Sequence, residues 1–170
     1  MAKYLYTCVI KRNMKKIILI ISVMISFAVF SQIKVYKGIS NYSGDIICTL
    51  KDGNIYIKQS NYSGDIICHI SDNKIYKKQS NYSGDIIFTI KDGKVYKNTS
   101  NYNGDIVMTI KDSKIYKKQS NYSGDIIATI RNGKVYNGTS TYSGDIKFSI
   151  NEIVTIEEFV AIWYVVKYIW

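Results

Sequence analysis

No proline occurs in the 170 residues, and cysteine and histidine number only three and one. Without proline, chain reversals must be sought at glycine, aspartate and asparagine. Three cysteines, with only Cys48 and Cys68 beyond the N-terminal segment, exclude a disulfide-dense scaffold. One histidine and no clustered cysteines argue against a zinc site. What is present is 46% hydrophobic and 14% aromatic, with 16 Tyr and 11 Gly, which excludes a disordered chain. The length fits one domain.

The N-terminus reads as an address. Lys11, Arg12, Lys15 and Lys16 flank Met14, an alternative start, and an apolar run follows from Ile17 to Phe30. That run has the length of a signal-peptide core and is short for a spanning helix. Val29 and Ser31 suit cleavage before Gln32, and no Cys follows to take a lipid. An uncleaved membrane anchor is the alternative. Removing residues 1–31 takes away five cations and no acid, so the formal charge falls from +10 to +5. A mildly basic chain of this kind is not a nucleic-acid binder.

Residues 32–150 form a repeat of period 20. Tyr-Ser-Gly-Asp or Tyr-Asn-Gly-Asp begins at Tyr42, Tyr62, Tyr82, Tyr102, Tyr122 and Tyr142. Each unit reads as a strand such as Asp85–Lys91, then Asp92-Gly93, then a second strand Lys94–Lys97, then a polar loop. Ile, Val, Thr and Tyr favour strands. Asp-Gly and Asn-Gly favour two-residue type I′ turns, with Asp72-Asn73 and Asp112-Ser113 as weaker versions. Gly44 and its equivalents are expected to need a backbone conformation that only glycine adopts cheaply. Lys34–Lys37 matches a second strand and Asp145–Ile150 a first strand, so the ends can pair. Twelve strands then close a ring.

Period-2 alternation assigns the faces. The Ile column at 46, the varied column of Cys48, Cys68, Phe88, Met108, Ala128 and Phe148, and the column at 50 are expected inward. Thr49 and its equivalents, including His69, are expected outward. Ile47, Ile67, Ile87 and Ile127 break the alternation and need cover from Tyr or Lys stems. A bulged turn would flip the second strands, so register stays open. Cys48 and Cys68, with a second strand between them, are expected as buried free thiols.

Residues 151–170 supply the object that the varied column packs against. Thr155 and Glu158 form a capping box, with Glu157 beside them. From Ile156 to Trp170 the chain is apolar nearly all round, as for a helix buried on every side. Counted from Thr155, its span of roughly 24 Å matches strands of roughly 20 Å. The expected fold is therefore all-β with one helix: a 12-strand barrel plugged by a hydrophobic C-terminal helix. A membrane-inserting tail and a partner-docking helix are the alternatives.

The unit Ser-Gly-Asp-Ile-Ile-x-Thr-Ile-Lys-Asp-Gly-Lys-Val-Tyr resembles those of the β-flower families over roughly residues 33–150. The resemblance implies a shallow pseudo-symmetric barrel with hairpins projecting as petals, and it carries no activity with it. A ring around a hydrophobic helix is also similar in architecture to the Tubby domain and the phospholipid scramblases. No phosphoinositide-binding motif of theirs is matched, and architecture alone does not carry function.

Catalysis needs a residue once, whereas Tyr42, Gly44 and Asp45 recur six times. Such residues read as turn formers, with Asp capping backbone amides. A repeated calcium site would need more than one carboxylate per loop. His69 has no neighbouring acid or thiol to act with. No enzyme, cofactor or metal is expected. Charge is more informative. Lys51, Lys91, Lys111 and Arg131 flank the hairpin turns opposite Lys74, Lys94, Lys114 and Lys134. This makes the tip rim basic, against a loop rim of Tyr and Asp. Lysines that blunt strand pairing are the plain explanation, and a contact to anionic lipid or envelope polymer is the functional one. The sequence thus points to an exported, non-enzymatic envelope module that is secreted or membrane-associated. A wall-carbohydrate or choline-type binder is the alternative, although such repeats use Trp cages and these have none. Oligomeric state is not indicated.

Overall fold

Two-residue turns with positive φ at both positions set the hairpins. Asp52–Gly53, Asp72–Asn73, Asp92–Gly93, Asp112–Ser113 and Asn132–Gly133 all have φ between 49° and 73°. That is the type I′ twist, which matches the twist of the flanking strands. The computed structural model describes residues 32–168, so the expected signal segment and the last two residues of the expected helix lie outside the described residues. A lone strand β1 (Ile33–Lys37) is followed by hairpins β2 (Ile46–Lys51)/β3 (Asn54–Ile57), β4 (Ile66–Ser71)/β5 (Lys74–Lys77) and β6 (Ile86–Lys91)/β7 (Lys94–Lys97). Then come β8 (Ile106–Lys111)/β9 (Lys114–Lys117), β10 (Ile126–Arg131)/β11 (Lys134–Asn137), the lone strand β12 (Ile146–Ile150) and helix α1 (Ile156–Tyr168). All strands are antiparallel neighbours in a closed barrel, and β1 meets β12 with Val35 opposite Ile150 and Lys37 opposite Phe148.

The face assignment needs one correction. On β3–β4, Ile55 faces Cys68 and Tyr56 faces Ile66, so the register skips Ile67. The same skip recurs where each second strand meets the next first strand. A bulge of this kind turns the strand over locally. Ile46 and its equivalents therefore pair with the Tyr column instead of facing the bore. Ile66, Ile86 and Ile106 are buried beside Tyr56, Tyr76 and Tyr96 in an outer Ile–Tyr layer. Ile47, Ile67, Ile87, Val107 and Ile127 instead join or pack against the central core.

The expectation for Gly44 is also overturned. Gly44, Gly64, Gly84, Gly104, Gly124 and Gly144 sit in 3₁₀ turns such as Ser43–Asp45, without positive φ. The positive φ, 49–55°, falls instead on Gly38, Lys58, Lys78, Asn98, Lys118 and Gly138, just after each second strand. There the N–H of Lys58 donates to the carbonyl of bulged Ile47 at 3.0 Å, and Lys78 to Ile67 at 2.9 Å. The left-handed corner and the bulge are thus one device, and the hydrogen bond offsets a conformational cost of roughly 1–2 kcal/mol.

Helix α1 fills the bore. Its capping box forms: Thr155 N–H donates to Glu158 Oε2 at 2.8 Å, and Glu158 N–H to Thr155 Oγ1 at 3.2 Å. Phe159, Val160, Ala161, Ile162, Trp163 and Val165 belong to one buried cluster with the inward strand residues. The helix lies closest to β2, β4 and β5. On that side the varied column carries the small Cys48 and Cys68. Farther round, Phe88 meets Tyr164 at 5.8 Å and Phe148 meets Trp163 at 6.2 Å. The off-centre helix accounts for the small residues on β2 and β4 and the large Phe88 and Phe148, whereas Ala128 on β10 departs from this trend, and a cavity of about 400 Å³ lies beside Ile127, Phe148 and Trp163.

Cys48 and Cys68 are buried free thiols on β2 and β4, with β3 between them. Two strand spacings, roughly 9–10 Å, exceed the separation of about 7 Å that a disulfide tolerates. Burial pushes the Cys48 thiol up from 9.0 to about 12. Burial and the neighbouring Cys48 push Cys68 up as well. The unfolded thiols ionise first, so this stability is complete below pH 9 and is lost as pH rises from 9 through 12. Alkylation at pH 8, mapped by peptide mass, is expected to reach both thiols only in denaturant. A Cys48→Ala/Cys68→Ala variant is expected to lose less stability between pH 9 and pH 11. A native Cys48–Cys68 crosslink would refute the strand order.

Candidate functional site

The type I′ turns place the tip cations in direct cross-strand pairs. Lys91 faces Lys94, Lys111 faces Lys114 and Arg131 faces Lys134, while Lys74 faces Ser71 and Lys51 faces Asn54. These positions continue the outward row of the Thr49 and Tyr56 columns. Lys91, Lys111, Lys114, Arg131 and Lys134 are exposed, and Lys51, Lys74 and Lys94 half-buried. Among the described residues, none of the eight forms an ion pair with a carboxylate. Like charges directly opposite one another cost stability.

The expected one-sided polarity does not hold. Lys58, Lys77, Lys97, Lys117, Lys118 and Lys167 are among the cations at the loop end, while Glu152, Glu157 and Glu158 join the tip end. The tips also carry the exposed Asp52, Asp72, Asp92 and Asp112 within the turns themselves, so what distinguishes them is arrangement, with cations ranked along the outer strand ends, aspartates at the turns and glutamates around the helix start. Sequence reasoning missed the loop-end set because it weighed only residues flanking the Asp-Gly turns.

Those loop-end lysines have structural work. Lys77, Lys97 and Lys117 pair with Cys68, Phe88 and Met108, so they border the bore where α1 ends. Lys147 and Lys167 stand 5.9 Å from the Trp163 ring, and Lys167 5.4 Å from Tyr168. Cations over aromatic rings and at a helix C-terminus are both favoured. Cavities of about 400 Å³ and about 550 Å³ flank Lys167, sharing Ile127 between them.

The loops themselves form six equal turns. Ser40 Oγ donates to Asp45 Oδ2 at 2.5 Å and accepts the Tyr42 N–H at 3.2 Å, and Asp45 N–H donates to the Tyr42 carbonyl at 3.0 Å. The same clamp recurs at Ser60, Ser80, Ser100, Ser120 and Ser140. The repeated Asp is therefore a turn former, tied to its serine. His69 is half-buried on the outward face, with Nε2 3.0 Å from Asn81 Oδ1 and its ring against Tyr76. Among the described residues no three His, Cys, Asp or Glu come together to hold a metal, and no helix is long and apolar enough to cross a membrane.

A family model described as a 6-fold beta flower protein matches residues 35–163. No curated protein and no solved structure matches the chain. The matched span runs from β1 into the middle of α1, so it includes both the ring and most of its plug.

Proposed function

From a chain that belongs to the 6-fold beta flower family, a repeat scaffold fold, we propose a non-enzymatic binding module of the cell envelope. It is exported by its N-terminal segment and meets an anionic surface through the belt of hairpin tips. One observation carries this reading. Lysines on strands commonly guard an unpaired edge, but the barrel closes between β1 and β12 and has no edge to guard. The like-charged pairs Lys91/Lys94, Lys111/Lys114 and Arg131/Lys134 thus lose their plain explanation while keeping a cost of a few tenths to about 1 kcal/mol each. An opposing layer of phosphate would turn that repulsion into attraction, and the belt would steer the approach.

Sedimentation with phosphatidylglycerol and phosphatidylcholine vesicles, beside a pull-down on wall sacculi retaining their anionic polymers, separates lipid from polymer. Binding to one of the anionic partners is expected, weakening as salt rises. The variant Lys91→Glu/Lys94→Glu/Lys111→Glu/Lys114→Glu should lose it. No anion-dependent binding, or binding that the variant retains, overturns the belt. The intact mass of protein taken from its native envelope checks export: a species beginning near Gln32 is expected, and one retaining residues 14–31 overturns cleavage.

A further inference from the structure

Tyrosine is used twice in each unit, in opposite ways. The column of Tyr76, Tyr96, Tyr116 and Tyr136 is buried against the barrel wall, each ring 6–9% exposed. The column of Tyr42, Tyr62, Tyr82, Tyr102, Tyr122 and Tyr142 is displayed, each ring 75–80% exposed. Among the described residues, no displayed ring touches another ring and no displayed hydroxyl makes a hydrogen bond. Their backbones are nonetheless fixed, because the Ser–Asp clamp holds every one of the six turns. A large aromatic side chain on a rigid mount, with no packing role, is what a contact surface uses: much area at little cost in ordering.

The repeated glycine tells the same story independently. At Gly44, Gly64, Gly84, Gly104, Gly124 and Gly144 a Cβ would meet nothing within 4 Å, and φ is not positive. Neither the backbone nor the packing of this chain requires glycine there. The remaining reason for glycine is close approach of something else to the backbone. The flanking residues Asn61, Asn81, Asn101 and Asn121 are exposed neutral amides. At one turn the amides, hydroxyls and Tyr102 wall a depression of about 490 Å³, lined by Asn98, Thr99, Ser100 and Asn101 with one cation, Lys97, and one carboxylate, Asp105, while Gly104 lies in the adjoining depression beside Lys117 and Lys118.

From this juxtaposition we infer that the loop rim is a six-fold site for an uncharged polysaccharide, one or two sugar units to each Tyr–Ser/Asn–Gly turn. The C–H face of a pyranose lies on the exposed Tyr ring. The glycine lets it sit close to the backbone, and the amides and hydroxyls meet the sugar hydroxyls. At the Tyr102 turn Lys97 balances Asp105, which favours a neutral sugar there over an anionic one, while Lys77–Lys78 and Lys117–Lys118 give two of the turns a second cation. A repeating polymer is the partner that presents the same face to six equal turns. A protein interface would instead want one contiguous patch with a buried centre. This site lies at the opposite end from the hairpin-tip belt and does not depend on it.

Native affinity electrophoresis of the full chain tests the site. The gels hold hydroxyethyl cellulose, glucomannan, laminarin or glycol chitin, and glucose and N-acetylglucosamine serve as competitors. Retardation by at least one polymer is expected. Single sugars should compete at least tenfold more weakly per residue, since six linked contacts multiply. Replacing all six displayed tyrosines by Ala should abolish retardation without lowering the melting temperature, because the rings are exposed. Gly84→Ala/Gly104→Ala/Gly124→Ala should weaken retardation severalfold at an unchanged or higher melting temperature. Absence of retardation by every polymer, full retardation of the six-tyrosine variant, or tyrosine-dependent self-association in sedimentation each overturns the inference.

Discussion

Trp163→Ala is expected to lower the melting temperature by on the order of 6–20 °C. The side chain is 4% exposed and packs on Phe148 and Phe159, with ring centres 6.2 and 6.1 Å away. Truncating a buried Trp costs about 3–5 kcal/mol, against a total stability of about 5–15 kcal/mol. For a domain of this size each kcal/mol moves the transition by roughly 2–4 °C. Trp163→Phe keeps most of the volume and should lose much less. Ending the chain after Thr155 removes every helix residue of the buried cluster and leaves Cys48, Phe88, Met108 and Phe148 lining an open bore. That product should aggregate and bind a hydrophobic dye. Calorimetry and size-exclusion chromatography decide. A chain lacking α1 that melts like the full protein would refute the plug and restore the tail readings.

An effect of similar size is expected at the seam. Val35 is fully buried, with Cys48 beside it on β2 and Ile150 on β12. Backbone pairing of β1 with β12, the clip from Lys34 N–H to Asn151 Oδ1, the bond from Ser149 Oγ to the Ser40 carbonyl and the shared packing of Val35, Phe148 and Ile150 hold the two ends of the ring together there. Val35→Asp places a carboxylate in an apolar wall with no cation to pair it, at a cost of several kcal/mol. The ring should open and expose two strand edges, which are templates for association. Light scattering on gentle warming is expected to rise far earlier than for Val35→Ala, which keeps the ladder and loses only methyl groups. A monomeric Val35→Asp protein with an unchanged transition would show that closure at this strand is dispensable.

Much of this was legible from residues. The period, the Asp-Gly and Asn-Gly turns and the complementary half-units at the two ends specify twelve strands and their closure. Thr155 and Glu158 mark the helix start, and the varied column of Cys48 to Phe148 announces an asymmetric occupant. The bulge was not legible, for a physical reason. Ile66 and Ile67 are both apolar and both withdrawn from water, but on different faces, so alternation cannot tell which one turns inward. Because every unit carries the same bulge, comparing units gives no contrast either. Gly44 was misread because glycine at a turn suggests positive φ. Here the left-handed corner sits on residues such as Lys58 and Lys78, stabilised by a hydrogen bond to a bulge that the sequence does not show. Charge at the two rims is not legible from the turn residues alone, because lysines at and just after the second-strand ends and glutamates at the helix start fall on opposite ends of the barrel.

The single helix inside the ring has a consequence for how such a gene changes. Tandem stretches this alike invite the loss or gain of a whole unit when DNA is copied. Each hairpin added or removed would still pair with its neighbours, so the strands by themselves set no count. Bore width, however, grows with the number of strands. One unit fewer would crush the space now filled by α1, and one more would leave a void along its length. The helix therefore works as a gauge. It lets point changes accumulate between units, as at Cys68, Phe88 and Ala128, while selecting against any copy number other than six.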